Sequence, residues 1–167
     1  MTNTELLDQF DITMQKLLQL LSLLSDEQLN TVPFEDSWTA GQVGDHLYKS
    51  YDVIGILRGN TEPTERPAGQ KLDGIRKMLL DFTTKLDAPP ETLPTHDPIH
   101  TQALLAALPE RIAQQREVLL HDDLSPVCLD FAIPGAGHFT RLEWLGYNTL
   151  HTQRHIYQLK NSISTIK

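Results

Sequence analysis

Apolar residues recur along much of this chain at intervals of three and four. Leu6, Phe10, Met14, Leu17, Leu18, Leu21 and Leu24 form one such series, and the spacing predicts an amphipathic helix over residues 5–24. Ser25 with Gln28 three residues on has the form of a capping box and predicts one short turn, stopped near Pro33. Thr39 and Gln42 repeat that signature, with Trp38 before the cap and Val43 inside the helix as a hydrophobic staple. The helix they open carries Val43, Leu47, Val53, Ile54 and Leu57 and is expected to stop at Gly59. Gly41 and Gly44 weaken its first turns. They have two readings: close packing of a neighbouring helix, or room for a ligand beside His46.

Residues 60–69 read as a loop rich in Pro, Gly and Thr, and Leu72, Ile75, Leu79, Phe82 and Leu86 then mark a shorter helix. After a second loop, Asp97 as cap with Pro98 in the first helical position predicts the start of a longer helix. Leu104, Leu105, Leu108, Ile112 and Leu119 line it, and Pro109 is expected to kink or divide it. Residues 123–139 read as irregular. Thr140 and Glu143 make a third strong capping box, with Phe139 and Trp144 as staple, and the last helix is expected to run to about Asn161. No stretch shows strand-like alternation. The pattern predicts an all-α fold of one domain over residues 1–167, with four main helices and a fifth, shorter one.

Charge and composition narrow the function. The net charge is −8 at pH 7 and no basic cluster offsets it, which excludes nucleic acid and anionic membrane surfaces as expected partners. The apolar stretches fall short of a membrane span, and Met1–Glu5 lacks the basic start and apolar core of a signal peptide. A single cysteine, Cys128, forms no intramolecular disulfide and fits a reducing cytoplasm; its apolar neighbours predict a buried, inert thiol. No Gly-x-Ser-x-Gly, His-Glu-x-x-His or two-cysteine metal motif is present, and Gly135–Gly137 lacks the strand and lysine of a phosphate loop.

The candidate chemistry lies in the histidines. His151 and His155 are four apart in the last predicted helix, so they share a face and can hold one transition metal. A second such pair, His96 and His100, brackets the predicted helix start at Asp97–Pro98 and is not expected to share a face. His46 is the best third ligand. It lies seven residues after its cap, about 10 Å along its helix, while the midpoint of His151 and His155 lies about 12 Å from the far end of theirs. The three meet at one level only if the two helices run antiparallel. That requires an up-down-down-up bundle with a long crossover, which residues 59–97 supply, the short fifth helix included. Around these residues, Gln42 and Ser50 flank His46 one turn away. Asn148 and Gln158 flank the pair and are placed to orient an imidazole or a bound water.

Trp38-Thr39 followed by His46, then Gly137, Leu142-Glu143-Trp144 and His151 with His155, resemble in order and spacing the DinB/YfiT-like metal-binding four-helix bundles. The resemblance covers nearly the whole chain. It implies His46, His151 and His155 as ligands of a divalent metal, nickel or zinc, and a homodimer. Its characterised members imply metal-dependent S-transfer with a low-molecular-weight thiol of the bacillithiol or mycothiol type, acting on a small-molecule electrophile. Two other classes stay open on the residues alone: a metal-dependent hydrolase using bound water, and a non-catalytic metal-binding module associated with stress. No residue stands out as the general base that hydrolysis needs.

Overall fold

The computed structural model describes residues 1–166. Helix α1 (Asn3–Ser22) starts at a capping box of Thr2 and Glu5, slightly ahead of the predicted start. Its stripe of Leu6, Phe10, Met14, Leu17 and Leu21 is buried. Ser25 and Gln28 form the expected box and open the one-turn α2 (Asp26–Leu29). Thr39 and Gln42 open α3 (Ala40–Ser50) with both reciprocal bonds at 3.0 Å.

This helix does not run unbroken to Gly59. It passes into a 3-10 turn at Tyr51–Val53, where Asp52 has ψ 15°, and resumes as α4 (Ile54–Leu57). The Ser50 hydroxyl donates to the His46 carbonyl at 2.8 Å, a back-bond of the kind that bends helices. The crossover then contributes β1 (Thr61–Glu62) and α5 (Leu72–Leu79). Helix α5 stops short of Leu86. The Asp81 carboxylate accepts from Thr83 N and from the Thr83 and Thr84 hydroxyls, a local turn that competes with the helix. Arg154 donates to the carbonyls of Leu79, Asp81 and Thr84 that the interrupted helix leaves free.

Helix α6 (Thr101–His121) begins three residues later than Asp97–Pro98 predicted. Its cap comes from elsewhere in the fold: Asp26 accepts from Thr101 N at 2.8 Å. Ile99 is held outside the helix because its N–H and carbonyl both bond to the Asn30 side chain. Pro109 does not divide α6. The missing N–H removes one ladder bond, and burial of Leu104, Leu108 and Ile112 on either side holds the turns together. The stretch expected to be irregular holds β2 (Val127–Cys128), antiparallel to β1 with Thr61 opposite Cys128. Two-residue strands are too short to leave an alternating pattern in sequence. Helix α7 (Arg141–Ile166) outlasts its expected end at Asn161 and buries Leu159 and Ser162 there.

Helices α1 and α3 each pack against both α6 and α7, and α5 lies on α7. One apolar cluster draws on all of these helices. Packing also settles the reading of the α3 glycines. A Cβ on Gly44 would lie 2.4 Å from Leu104 Cδ2, and one on Gly41 would lie 3.0 Å from the Leu29 carbonyl oxygen. The bare backbone lets α3 approach α6 and α2. Among the described residues no helix is long and apolar enough to cross a membrane.

Candidate metal centre

Helices α3 and α7 bring His46, His151 and His155 together. His46 Nε2 and His155 Nε2 each face His151 Nε2 at 3.1 Å. One ring nitrogen of each residue can be chosen so that all three lie within 4.8 Å of one another, a group that could hold a metal ion. His46 and His155 are buried, and His151 is partly covered. Trp38 packs on the cluster, 5.0 Å from the His46 ring and stacked at 6.3 Å on His155. Tyr147 stacks on His151 at 5.6 Å. The two aromatic rings thus wall the histidines.

Partners on the outer nitrogens fix how the rings present themselves. His46 Nδ1 donates to the Thr92 carbonyl oxygen at 2.8 Å. A carbonyl only accepts, so Nδ1 carries the proton and the Nε2 lone pair of the neutral ring points inward. His155 Nδ1 donates to Gln158 Oε1 at 2.8 Å, with the same consequence. Three ring nitrogens therefore converge, and at least two present lone pairs. His151 Nδ1 is buried without a partner, so the cluster is not a closed hydrogen-bond network.

Burial drives all three histidines towards the neutral form. It depresses His46, although the bond to Thr92 opposes the shift. It holds His155 down to about 3, with the His46 charge adding to the effect. His151 falls well below the ordinary range, through burial and then repulsion from His155 and His46. Neutral imidazole is the ligating form. A cation about 2.1 Å from two nitrogens sets them about 3.0 Å apart at a right angle and about 3.4 Å apart at the tetrahedral angle. The two 3.1 Å approaches fall in that interval. The donor set thus suits a borderline divalent metal in chemistry, and the two approaches to His151 suit it in spacing, while the three nitrogens together lie within 4.8 Å of one another.

The expected flanking residues divide. Gln158 supports His155. Gln42 caps α3 and donates to the Thr95 carbonyl, Ser50 bonds the His46 backbone, and Asn148 donates to Gln115 at 3.0 Å. None of these three meets an imidazole through its side chain. The support for His46 that sequence reasoning missed is the Thr92 carbonyl. It is a backbone atom brought from the crossover, and residue type carries no signal for it. His96 and His100 do not join the cluster; His100 instead lies 3.0 Å from Asp26. Cys128 is buried and its thiol is pushed up to about 11 by burial, so it is protonated at neutral pH.

The chain is 26% identical over 140 residues to the uncharacterized protein YuaE of Bacillus subtilis (strain 168), an alignment covering 82% of this chain and 84% of that protein. No solved structure matches it significantly. Residues 9–159, which run from within α1 to Leu159 of α7 and include all three clustered histidines, match the family description of the DinB superfamily, and the chain belongs to that superfamily.

Proposed function

We propose that this protein holds a divalent metal, nickel or zinc, on His46, His151 and His155, and that the site serves S-transfer from a low-molecular-weight thiol to a small-molecule electrophile. The observation that carries the metal reading is the convergence of three ring nitrogens at a point where Thr92 and Gln158 have already fixed two tautomers. When bound, the metal supplies positive charge that lowers the pKa of a thiol and holds its thiolate. The chain's own part is to present neutral donors, to orient them through Thr92 and Gln158, and to exclude water with Trp38 and Tyr147. Thiol transfer is preferred over hydrolysis because the cluster consists of imidazoles alone, whereas hydrolysis calls for a separate general base.

The finer architecture belongs to the same reading: one domain, arranged up-down-down-up, with residues 59–97 as the crossover. Contacts between the helices support it. Leu24 meets Thr101 while Asp11 meets Arg116, and Gly41 lies against Leu29 while Tyr51 reaches back to Met14; both pairs of contacts favour α6 and α3 running opposite to α1. Leu6 and Gln9 share a cleft with Gly146 and Thr149, and further along Thr13 meets Gln153, which favours α7 running with α1. The homodimer implied by the resemblance and the cytoplasmic location suggested by the lone Cys128 are carried as part of the proposal and are read by sedimentation and by fractionation of cells.

The test has two stages. Protein stripped with chelator should regain about one metal per chain, and His151→Ala should abolish that uptake. Metal-loaded protein should then consume a bacillithiol-type thiol in the presence of an electrophile. Ester or amide cleavage without thiol would replace transfer by hydrolysis. Tight metal binding with neither activity would leave a non-catalytic metal module.

A further inference from the structure

One buried contact joins the two helices that carry the histidines. Tyr51 is fully buried and lies five residues after His46, at the junction where α3 gives way to its 3-10 turn. Its hydroxyl lies 2.5 Å from Thr152 Oγ1. Thr152 is fully buried and directly follows His151 in α7. Thr152 donates its own proton to the Asn148 carbonyl at 2.8 Å, so the Tyr51 hydroxyl is the donor in the shared bond. Met14 Sδ lies 3.4 Å from the same hydroxyl and closes the pocket from α1. Burial raises the phenol, which stays protonated and able to donate at any physiological pH.

We propose that the Tyr51–Thr152 bond is a positioning strut that sets the axial register of α3 against α7, and thereby the metal geometry at His46, His151 and His155; the inference rests on the metal reading above. The physical need is plain. A slip of one residue moves a helix by about 1.5 Å, whereas a coordination bond tolerates about 0.2 Å. Apolar side chains are poor at preventing such a slip because their attraction has no direction. A hydrogen bond has a direction and a narrow range of length. Here it spans the two ligand-bearing helices within about two turns of all three imidazoles. Helix α3 has particular need of a fixed point. Its glycines lower its rigidity, and its regular ladder ends at Ser50, only four residues after His46. Tyr51 and Thr152 are positioning residues and touch no metal.

The test uses the full chain, stripped of metal and reloaded. Tyr51→Phe removes one oxygen, keeps the ring packing, and leaves Thr152 its bond to Asn148. Zinc affinity is read by chelator competition, ligand geometry by the visible bands of the cobalt-loaded protein, and fold by thermal melting. Tyr51→Phe and Thr152→Val should each weaken zinc about tenfold or more and alter the cobalt bands, while the melting point of the metal-free protein falls by only a few degrees. The double variant should bind no worse than the poorer single one, because both remove the same bond. Val118→Ala, a core change in α6, should lower the melting point without moving affinity or spectrum. Zinc affinity within twofold of wild type together with unchanged cobalt bands in Tyr51→Phe would overturn the strut. Should Tyr51→Phe not fold, Thr152→Val gives the same readouts. A wild-type chain that takes up no metal would overturn the metal reading and the strut with it, whereas normal uptake in wild type and variants alike would overturn the strut alone.

Discussion

Glu143 offers the sharpest test of how the crossover is tied to α7. Its side chain is fully buried. Oε1 accepts from Arg66 at 2.6 Å and from Lys71 N at 2.9 Å, while Oε2 accepts from Arg66 at 2.8 Å and from Thr140 N at 2.9 Å. Replacement by Gln converts one of these acceptors into a donor that faces other donors, and leaves the Arg66 charge without its partner. Removing one member of a buried pair costs about 3–5 kcal/mol. Arg66 keeps 23% of its side chain exposed and can turn partly to water, which favours the lower end, about 3 kcal/mol. For a chain of this length that is a fall of about 6–12 °C in melting temperature. The pH dependence carries a sign. Burial alone would raise the Glu143 pKa, but the hydrogen bonds from Arg66, Thr140 N and Lys71 N more than offset it, so the folded value lies below the ordinary 4.5. The stability Glu143 confers is therefore present above about 4.5 and is lost as pH falls through the depressed folded value. Thermal and urea melts of Glu143→Gln against wild type between pH 7 and pH 3, a range chosen to span about 4.5, should show a gap that narrows on acidification. A fall of less than about 2 °C at pH 7, or a gap independent of pH, would refute the reasoning.

Other outcomes follow from the same contacts. The metal-free protein should lose stability as pH drops below about 6.5, because His155, held down to about 3, and His151, held well below its ordinary range, must take up protons that the unfolded chain already binds. Urea melts of wild type should show this limb and His151→Ala/His155→Ala should flatten it. Gly44→Ala should lower stability by about 1–3 kcal/mol despite a better helix propensity, since the new Cβ collides with Leu104; denaturant midpoints check it. Cys128→Ser should leave metal uptake and any thiol transfer intact, because the thiol is buried and protonated; loss of turnover in that variant alone would move the chemistry to Cys128. A saturating divalent metal should raise the melting point by about 8–16 °C at a thousandfold excess over its dissociation constant, and His46→Ala should remove that rise in a thermal-shift assay.

The sequence by itself determined the local elements. Capping boxes at Ser25, Thr39 and Thr140 were legible because each needs only residues three apart, and their helices start where those boxes stand. The apolar stripe of α1 and the shared face of His151 and His155 followed from helical periodicity alone. What depended on distant partners was not legible. The start of α6 was misplaced because its cap is Asp26, far away in sequence. Helix α5 ended early at an Asp81 turn, and β1 and β2 exist only through each other. At the candidate site, residue types and spacing named the three histidines. Only the tertiary structure decided that Thr92 would fix the His46 tautomer and that Gln158 alone of the four flanking candidates would reach an imidazole. It also turned Glu143 from a helix cap into the anchor of the crossover. The physical division is one of range. Periodicity and capping act within a turn or two of helix, so they are written in neighbouring residues. Backbone acceptors, buried ion pairs and inter-helix bonds form between groups that only folding brings together.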